Sequence, residues 1–320
     1  MANNILITGG CGFVGTNVAI YHLKKGDRVT IIDDLSRPGG GAKENYKYLK
    51  DNYKFKFCDE SVEDLISESL YKNTDIVYHL AAQTAMTTSI EEPVEDFYSN
   101  AMGTFVVLEN VRRYTPEAIV FYTSTNKVYG EIKSRKPVNE NVPLAFEGPY
   151  GCSKGTGDAY CLDYYKTYGI KTVVFRMSGI YGEYQRGIED QGWLCHIIKQ
   201  FQKKETINIF GTGKQVRDVL YVQDLIRAFE LARKKIEITK GKVYNIGGGK
   251  ENAISILDLM VWLSKKRKGK HIEVDYQDAR LADPMYYVSD TSKAKKDFGW
   301  EPKVCYEKGL NRLYKWIKNE

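Results

Sequence analysis

Cysteine pairs, histidine clusters and long apolar runs are all missing from this 320-residue chain. The six cysteines, Cys11, Cys58, Cys152, Cys161, Cys195 and Cys305, form no CxxC pair, and the four histidines stand far apart at 22, 79, 196 and 271. That spacing offers no zinc site and no disulfide framework, so reduced structural thiols and no metal are expected. No apolar run approaches the ~20 residues that a membrane-crossing helix needs. Met1-Ala-Asn-Asn4 runs straight into the strand-like Ile5-Leu-Ile-Thr8. Without a basic start and a long apolar middle this is no secretory signal, and a cytoplasmic location is expected. Internal repeats and low-complexity linkers are absent too.

A strong excess of one charge is also lacking, and the chain is only mildly basic. Lys plus Arg number 47 and Asp plus Glu 41, a net charge of +6 spread along the chain. The one dense basic run, from Lys265 to Lys270, reads as a solvated loop after a helix. No basic stripe with interleaved aromatics occurs, so neither nucleic acid nor membrane is an expected partner, and an anionic small molecule suits the charge. What is present is a globular composition, 42% hydrophobic and 28% charged, which excludes a disordered chain or a fibre.

Short apolar runs alternate with helical patterns through the first half. Strands are predicted at Ile5–Thr8, Arg28–Asp33, Phe55–Cys58, Ile76–Leu80, Ala118–Tyr122 and Thr172–Phe175. Helices are predicted at Phe13–Lys25, Glu63–Leu70, Pro93–Arg113 and Pro149–Tyr168. Strands of this kind, buried on both faces and linked by right-handed helical crossovers, make an α/β fold with a doubly wound parallel sheet. Beyond Ser178 the rhythm loosens. Trp193–Gln202 and Ile256–Lys265 read as helices, and Asn208–Phe210, Val243–Ile246 and His271–Tyr276 as strands. A Rossmann-type domain over 1–178 and 217–249 is therefore expected, with a smaller mixed C-terminal substrate lobe over 179–216 and 250–320.

Gly9-Gly10-Cys11-Gly12-Phe13-Val14-Gly15 follows the first strand and opens the first helix. Glycines 9, 12 and 15 form GxxGxxG in the strand–turn–helix setting that a dinucleotide pyrophosphate requires. Glycine permits a tight turn and close backbone approach, and the helix start supplies free N–H donors. Asp33 closes the second strand, where a carboxylate can bind an adenosine ribose and repel a 2′-phosphate. With Asp34 beside it, it favours NAD over NADP, although Arg37 is a residue type that accepts such a phosphate. Asp59 closes the third strand and is either an adenine contact or part of a helix N-cap. Leu80-Ala81-Ala82 closes the fourth with small residues that let backbone approach a ligand.

Tyr150 and Lys154 stand four apart at the start of a predicted helix and so share a face. A lysine ammonium beside a phenol favours phenolate, which a tyrosine of ordinary pKa ~10 needs to serve as a general base. Thr125, or its neighbour Ser124, ends the fifth strand with a hydroxyl able to bond the same substrate oxygen. Thr87 and Thr88 carry hydroxyls that can bond a ligand or merely cap their loop.

The glycine triplet, the strand-end hydroxyl and the Tyr-x-x-x-Lys pair together resemble the extended short-chain dehydrogenase/reductase family of nucleotide-sugar epimerases and dehydratases, over essentially the whole chain. The resemblance implies an NAD enzyme acting on a nucleotide sugar, with Tyr150 as base. Lys154 would orient the nicotinamide ribose and Thr125 would aid proton transfer. By the same resemblance Asn100 lies near the active site, Ser178 between nicotinamide and sugar, and Arg217 and Arg280 on the nucleotide diphosphate. Dehydratases of this family carry Thr-Asp-Glu where this chain has Thr125-Asn126-Lys127, so dehydration is disfavoured. The strings Gln83–Ser89, Ser124–Gly130, Pro149–Gly155, Asp190-Gln191-Gly192-Trp193 and Gly211–Asp218 look like those of the CDP-paratose (CDP-tyvelose) 2-epimerases within it. That places Gln191 at the substrate. The stretch between Gly130 and Pro149 is shorter than in that group, and Ile188-Glu189-Asp190 departs from it. A UDP-hexose 4-epimerase and a non-catalytic dinucleotide-binding protein are the alternatives. A homodimer or homotetramer, joined through Pro93–Arg113 and Pro149–Tyr168, is implied as well.

Overall fold

β-branched and aromatic runs three to seven residues long build a parallel sheet, and the computed structural model shows that sheet. It describes residues 2–36, 40–267, 272–279 and 284–320. Strands Asn4–Thr8 (β1), Arg28–Ile32 (β2), Lys56–Cys58 (β3), Ile76–His79 (β4), Ile119–Thr125 (β5) and Lys171–Met177 (β6) alternate with helices. The later strands are Gly179–Tyr181 (β7), Ile207–Phe210 (β8), Val216–Tyr221 (β9), Lys242–Ile246 (β10), Ala253–Ser255 (β11), Val274–Gln277 (β12) and Tyr286–Tyr287 (β13). The main sheet runs β10-β6-β5-β4-β1-β2-β3, parallel throughout. Chain order reverses on the two sides of β1, so the strand ends there open a crevice for a ligand.

Helices cover both faces. In chain order the first nine helices, of which α8 belongs to the small lobe, are Phe13–Lys24 (α1), Ala42–Asn52 (α2), Glu68–Tyr71 (α3), Met86–Glu91 (α4), Pro93–Phe97 (α5), Gly103–Tyr114 (α6), Gly148–Tyr168 (α7), Trp193–Lys203 (α8) and Val222–Lys234 (α9). One core packs Ile5, Ile7, Phe121 and Phe175 with Val18 of α1 and Phe229 of α9. The opposite core packs Leu6, Val77, Val120 and Val174 with Val107 of α6 and Cys161 of α7. Ile5 and Ile7 face one side and Leu6 the other, the alternation that a two-faced strand requires. The small lobe sets β7, β9, β11 and β13 side by side and pairs β8 with β12. Its core joins Leu194 and Ile198 of α8 to Leu259, Leu310 and Leu313.

The expected helix over Glu63–Leu70 is a correction. A single tight turn at Val62–Asp64 and the short α3 take its place. Asn110 of α6 accepts the Ser67 amide at 2.9 Å and donates to the Leu65 carbonyl at 2.8 Å, drawing those backbone groups out of a helical ladder. The long helix from Pro93 is likewise interrupted by one wide turn at Tyr98–Met102. His271, at the start of an expected strand, lies outside the described residues, as does the basic run beyond Arg267. Among the described residues no helix is long and apolar enough to cross a membrane.

Candidate active site

The glycine turn between β1 and α1 is built so tightly that side chains cannot replace two of its members. A Cβ on Gly9, at φ +66°, would lie 2.6 Å from the Ala81 nitrogen, and one on Gly15 would lie 2.2 Å from the Gly9 oxygen. Gly12 has only the Gly9 oxygen near it, at 3.3 Å. No side chain caps α1 at Gly12, so its first-turn amides are left for a ligand. Asp33 leaves the end of β2 and accepts the Cys11 amide at 2.8 Å and the Leu35 amide at 3.0 Å. Burial pushes its acid above the usual range, while those amides pull toward the carboxylate. Asp34 is exposed and ties Ser36 and Ser61 together through hydrogen bonds at 2.7 and 3.2 Å.

Beyond the turn, β4 is held by a directional chain. Thr104 donates to the Asn100 carbonyl at 2.6 Å and therefore accepts from His79 Nε2 at 3.0 Å. His79 Nδ1 then accepts from Thr8 at 2.8 Å, and the Thr8 oxygen receives the Leu80 and Ala81 amides at 3.2 and 3.3 Å. Burial lowers the His79 pKa to about 3, so the ring stays neutral and its tautomer fixed. The chain positions the backbone of Leu80–Ala82 beside Gly9.

The fifth strand and α7 supply the remaining polar groups. Thr125 ends β5, accepts the Lys127 amide at 3.2 Å and donates to Asn126 at 3.4 Å. Tyr150 and Lys154 occupy the first turns of α7. Lys154 is 2% exposed, and its ammonium lies 4.4 Å from the centre of the Tyr122 ring. Burial lowers its pKa from 10.5 to about 8, with Asp158 and Asp96 offsetting part of the fall. Asp158 is itself locked to Arg176 of β6 at 2.7 Å. Ser178 follows β6 and donates to the main-chain oxygen of Asp218 at 2.7 Å.

One cleft of about 730 Å³ joins these parts. Gly9, Gly12, Phe13, Val14, Gly15, Asp33, Asp34, Leu80, Ala81, Ala82, Thr88, Thr125, Tyr150, Lys154, Ser178 and Gln191 all line it. Four of the expected site residues stand off its wall. Asp59 is exposed just before the wall residues Glu60–Glu63. Thr87 has its hydroxyl buried without a partner, one residue from the lining Thr88. Asn100 is fully buried behind the wall and donates to Gln83, Asp96 and Ser153 at 3.0–3.1 Å. Arg217 sits on β9, donating to its neighbour Val216 at 2.7 Å. Arg37 and Arg280 lie outside the described residues.

Sequence reasoning missed Gln83, Thr84, Gln185 and Arg186, which line the cleft and each hold a buried polar atom without a partner. No spacing motif marks them; only their place after β4 and β7 does. Among the described residues no group of three or more His, Cys, Asp or Glu is gathered that could hold a metal. The glycine cradle, the open start of α1, Asp33 and these orphaned polar atoms fit a dinucleotide at one end of the cleft. Thr125, Tyr150 and Lys154 line the same cleft.

The family described as GDP-mannose 4,6 dehydratase matches residues 6–313. The chain is 37% identical over 342 aligned positions to a CDP-paratose 2-epimerase of Salmonella typhi, covering 98% of this chain and 99% of that protein. A UDP-glucuronic acid 4-epimerase from Bacillus cereus, solved with UDP-glucuronic acid and NAD, superposes with a TM-score of 0.89 at 32% identity and 99% coverage of both chains. A UDP-glucose 4-epimerase from Thermotoga maritima, solved with UDP-glucose, superposes with a TM-score of 0.88 at 31% identity, again over 99% of both.

Proposed function

The chain belongs to the GDP-mannose 4,6 dehydratase family of extended short-chain dehydrogenase/reductases, and on that premise we propose that it is an NAD-dependent nucleotide-sugar epimerase. The observation that carries this reading is the joining of the glycine cradle and Thr125, Tyr150 and Lys154 in a single cleft. When bound, NAD supplies a reversible hydride acceptor at one sugar carbon. Tyr150 removes the proton from the hydroxyl on that carbon and later returns it. The buried Lys154 ammonium favours the Tyr150 phenolate, and Thr125 holds the substrate oxygen in line. Inversion requires the keto sugar to turn within the cleft before hydride and proton return on its other face. Thr88, Ser178 and Gln191 meet the sugar, and the family resemblance gives the nucleotide diphosphate to Arg217, from behind the cleft wall, and to Arg280.

Epimerisation is favoured over dehydration because Asn126 and Lys127 follow Thr125. Elimination of water needs an acid and a base beside the sugar, and neither of these side chains is a carboxylate. The finer reading is a 2-epimerase acting on a CDP-linked 3,6-dideoxyhexose such as CDP-paratose, supported by the 37% identity to the Salmonella typhi protein. A 4-epimerase acting on a UDP-hexose is the second reading, supported by the two superposed 4-epimerases. The test is to denature the purified protein, identify the dinucleotide released, and follow CDP-, UDP- and GDP-sugars by NMR. The expected result is NAD and inversion of a CDP-sugar at C2. No bound or bindable dinucleotide, or loss of water without inversion, would refute the reading.

A further inference from the structure

Residues 183–187 lead from β7 toward α8, and two asparagines of the dinucleotide lobe hold them against the glycine turn. The Asn45 amide nitrogen donates to the Cys11 carbonyl at 3.0 Å and to the Tyr184 carbonyl at 3.2 Å. The Asn17 amide nitrogen donates to the Phe13 carbonyl at 3.0 Å and to the Glu183 carbonyl at 2.8 Å. Asn45 thus divides its two protons between the turn and the incoming segment, and Asn17 ties the first residue of α1 to the same segment. Asn45 is fully buried, and its bond to the Cys11 carbonyl is shielded from solvent, while the Tyr184 carbonyl is half-buried.

The segment bears other marks of being fixed. Tyr184 sits at φ +67°, a left-handed conformation that a ring-bearing side chain adopts only when its surroundings over-determine it. Its ring packs 5.0 Å from Tyr48 and 5.8 Å from Trp316. The Glu183 carboxylate accepts the Tyr221 hydroxyl at 2.5 Å. Arg186 pairs with Glu320 and packs so close to Gly41 that a Cβ there would lie 1.9 Å from its Cδ. A connector needed only to join β7 to α8 has no use for this strain. Gln185, Arg186 and Gly187 form cleft wall beside the turn. A dinucleotide seated on the turn therefore shares its cleft with this strap.

We propose that Asn45, backed by Asn17, is a positioning residue that clasps the 183–187 strap to the glycine turn and so retains NAD from one turnover to the next. The inference rests on the epimerase reading, in which the cofactor ends each cycle unchanged and gains nothing by leaving. Asn45→Asp keeps the shape of the side chain but, ionised, offers no proton to either carbonyl and, protonated, offers only one where the amide offers two. Bound NAD should then exchange with isotopically labelled NAD, followed by mass spectrometry, at least roughly tenfold faster than in the wild type, the factor that one lost hydrogen bond supplies. Asn17→Asp should move exchange the same way, and it decides the matter alone if Asn45→Asp fails to fold. Asp27→Asn weakens the buried His22–Asp27 pair, 2.7 Å apart beyond the other end of α1, and serves as a control for lost stability. It should leave exchange unchanged. Wild-type exchange in the asparagine variants, or equal acceleration in the Asp27 control, overturns the clasp while leaving the functional reading intact. A wild-type protein that binds no NAD overturns both.

Discussion

Ser178 commits its one hydroxyl proton to Asp218. Its oxygen lies 2.7 Å from the Asp218 main-chain oxygen and also bonds the Asp218 carboxylate. Asp218 cannot swing away, since it is fully buried and accepts the Gly249 amide at 3.0 Å. A Cβ on Gly247 would lie 2.2 Å from the same carboxylate, so only a bare glycine fits against it. What Ser178 offers the cleft is therefore its lone pairs, and a ligand group there must donate. Ser178→Ala is expected to raise the KM for the sugar nucleotide about fivefold to tenfold, the worth of one hydrogen bond, with bound NAD unaffected. An unchanged KM in steady-state assays would remove Ser178 from the substrate site.

Tyr150→Phe should lower kcat roughly a thousandfold, within the range that a general base contributes, while the dinucleotide content of the purified protein stays at the wild-type level. The ring remains in the wall and only the ionisable hydroxyl is lost. Turnover close to wild type would assign the proton transfer to another group.

Lys154 links the site to stability. Its folded pKa of about 8 lies below the ordinary 10.5, so between those values the unfolded chain holds a proton that the folded protein has shed. Folding stability from this group therefore rises with pH across that window, and below pH 8 the protein carries the full cost of a buried ammonium. The fall in pKa converts to on the order of 3 kcal/mol. Lys154→Met removes that cost, so the variant should be inactive yet more stable than wild type at pH 7. The gap should close as pH approaches 10. Urea unfolding at matched dinucleotide content measures it; parallel stability curves for the two proteins would contradict the burial argument.

Period and spacing carried much of this architecture. β1, α1 and the glycine turn between them are local events, and local sequence reads them almost to the residue. Thr125, Tyr150 and Lys154 were legible because each sits at the end of a strand or the start of a helix with its chemistry exposed in the pattern. The strap was not. Nothing near Asn45 marks it as a partner of Tyr184, 139 positions away, and that contact exists only after the two lobes meet. Glu63–Leu70 failed for a related reason: Asn110, more than forty positions on, captures backbone groups that a local reading gives to a helix. The wide turn around Asn100 likewise answers to Asp96, Gln83 and Ser153 rather than to helix propensity.

The exposed apolar residues Val94, Phe97, Tyr98, Phe105, Tyr160 and Tyr168 all lie on the helical stretch from Pro93 to Tyr114 or on α7. These two helices pack against each other, and Phe105 lies 5.5 Å from Tyr160. Burying such a face against its copy would give a homodimer. Light scattering at micromolar concentration should report at least a dimer, and Phe105→Asp with Tyr160→Asp should shift it toward monomer. A monomeric wild type would exclude this face as the interface.

Isotope tracing separates the chemical step from the choice of carbon. If inversion proceeds by oxidation and reduction, the hydrogen leaves the sugar carbon as hydride and returns without meeting solvent, while only the hydroxyl proton passes through Tyr150. Reaction in deuterated water should then leave the inverted carbon unlabelled, as read by NMR. A site that inverts by removing a proton from carbon would instead incorporate deuterium there, and that result would remove Thr125, Tyr150 and Lys154 from the roles given to them. Position is a separate matter. Inversion at C2 of a CDP-linked 3,6-dideoxyhexose is expected from the likeness to the Salmonella typhi protein. Inversion only at C4 of a UDP-hexose would overturn that substrate and leave the three residues in place. On the proposed reading, which carbon is oxidised depends on how Thr88, Ser178 and Gln191 present the sugar to Tyr150, so the same base can serve either reaction.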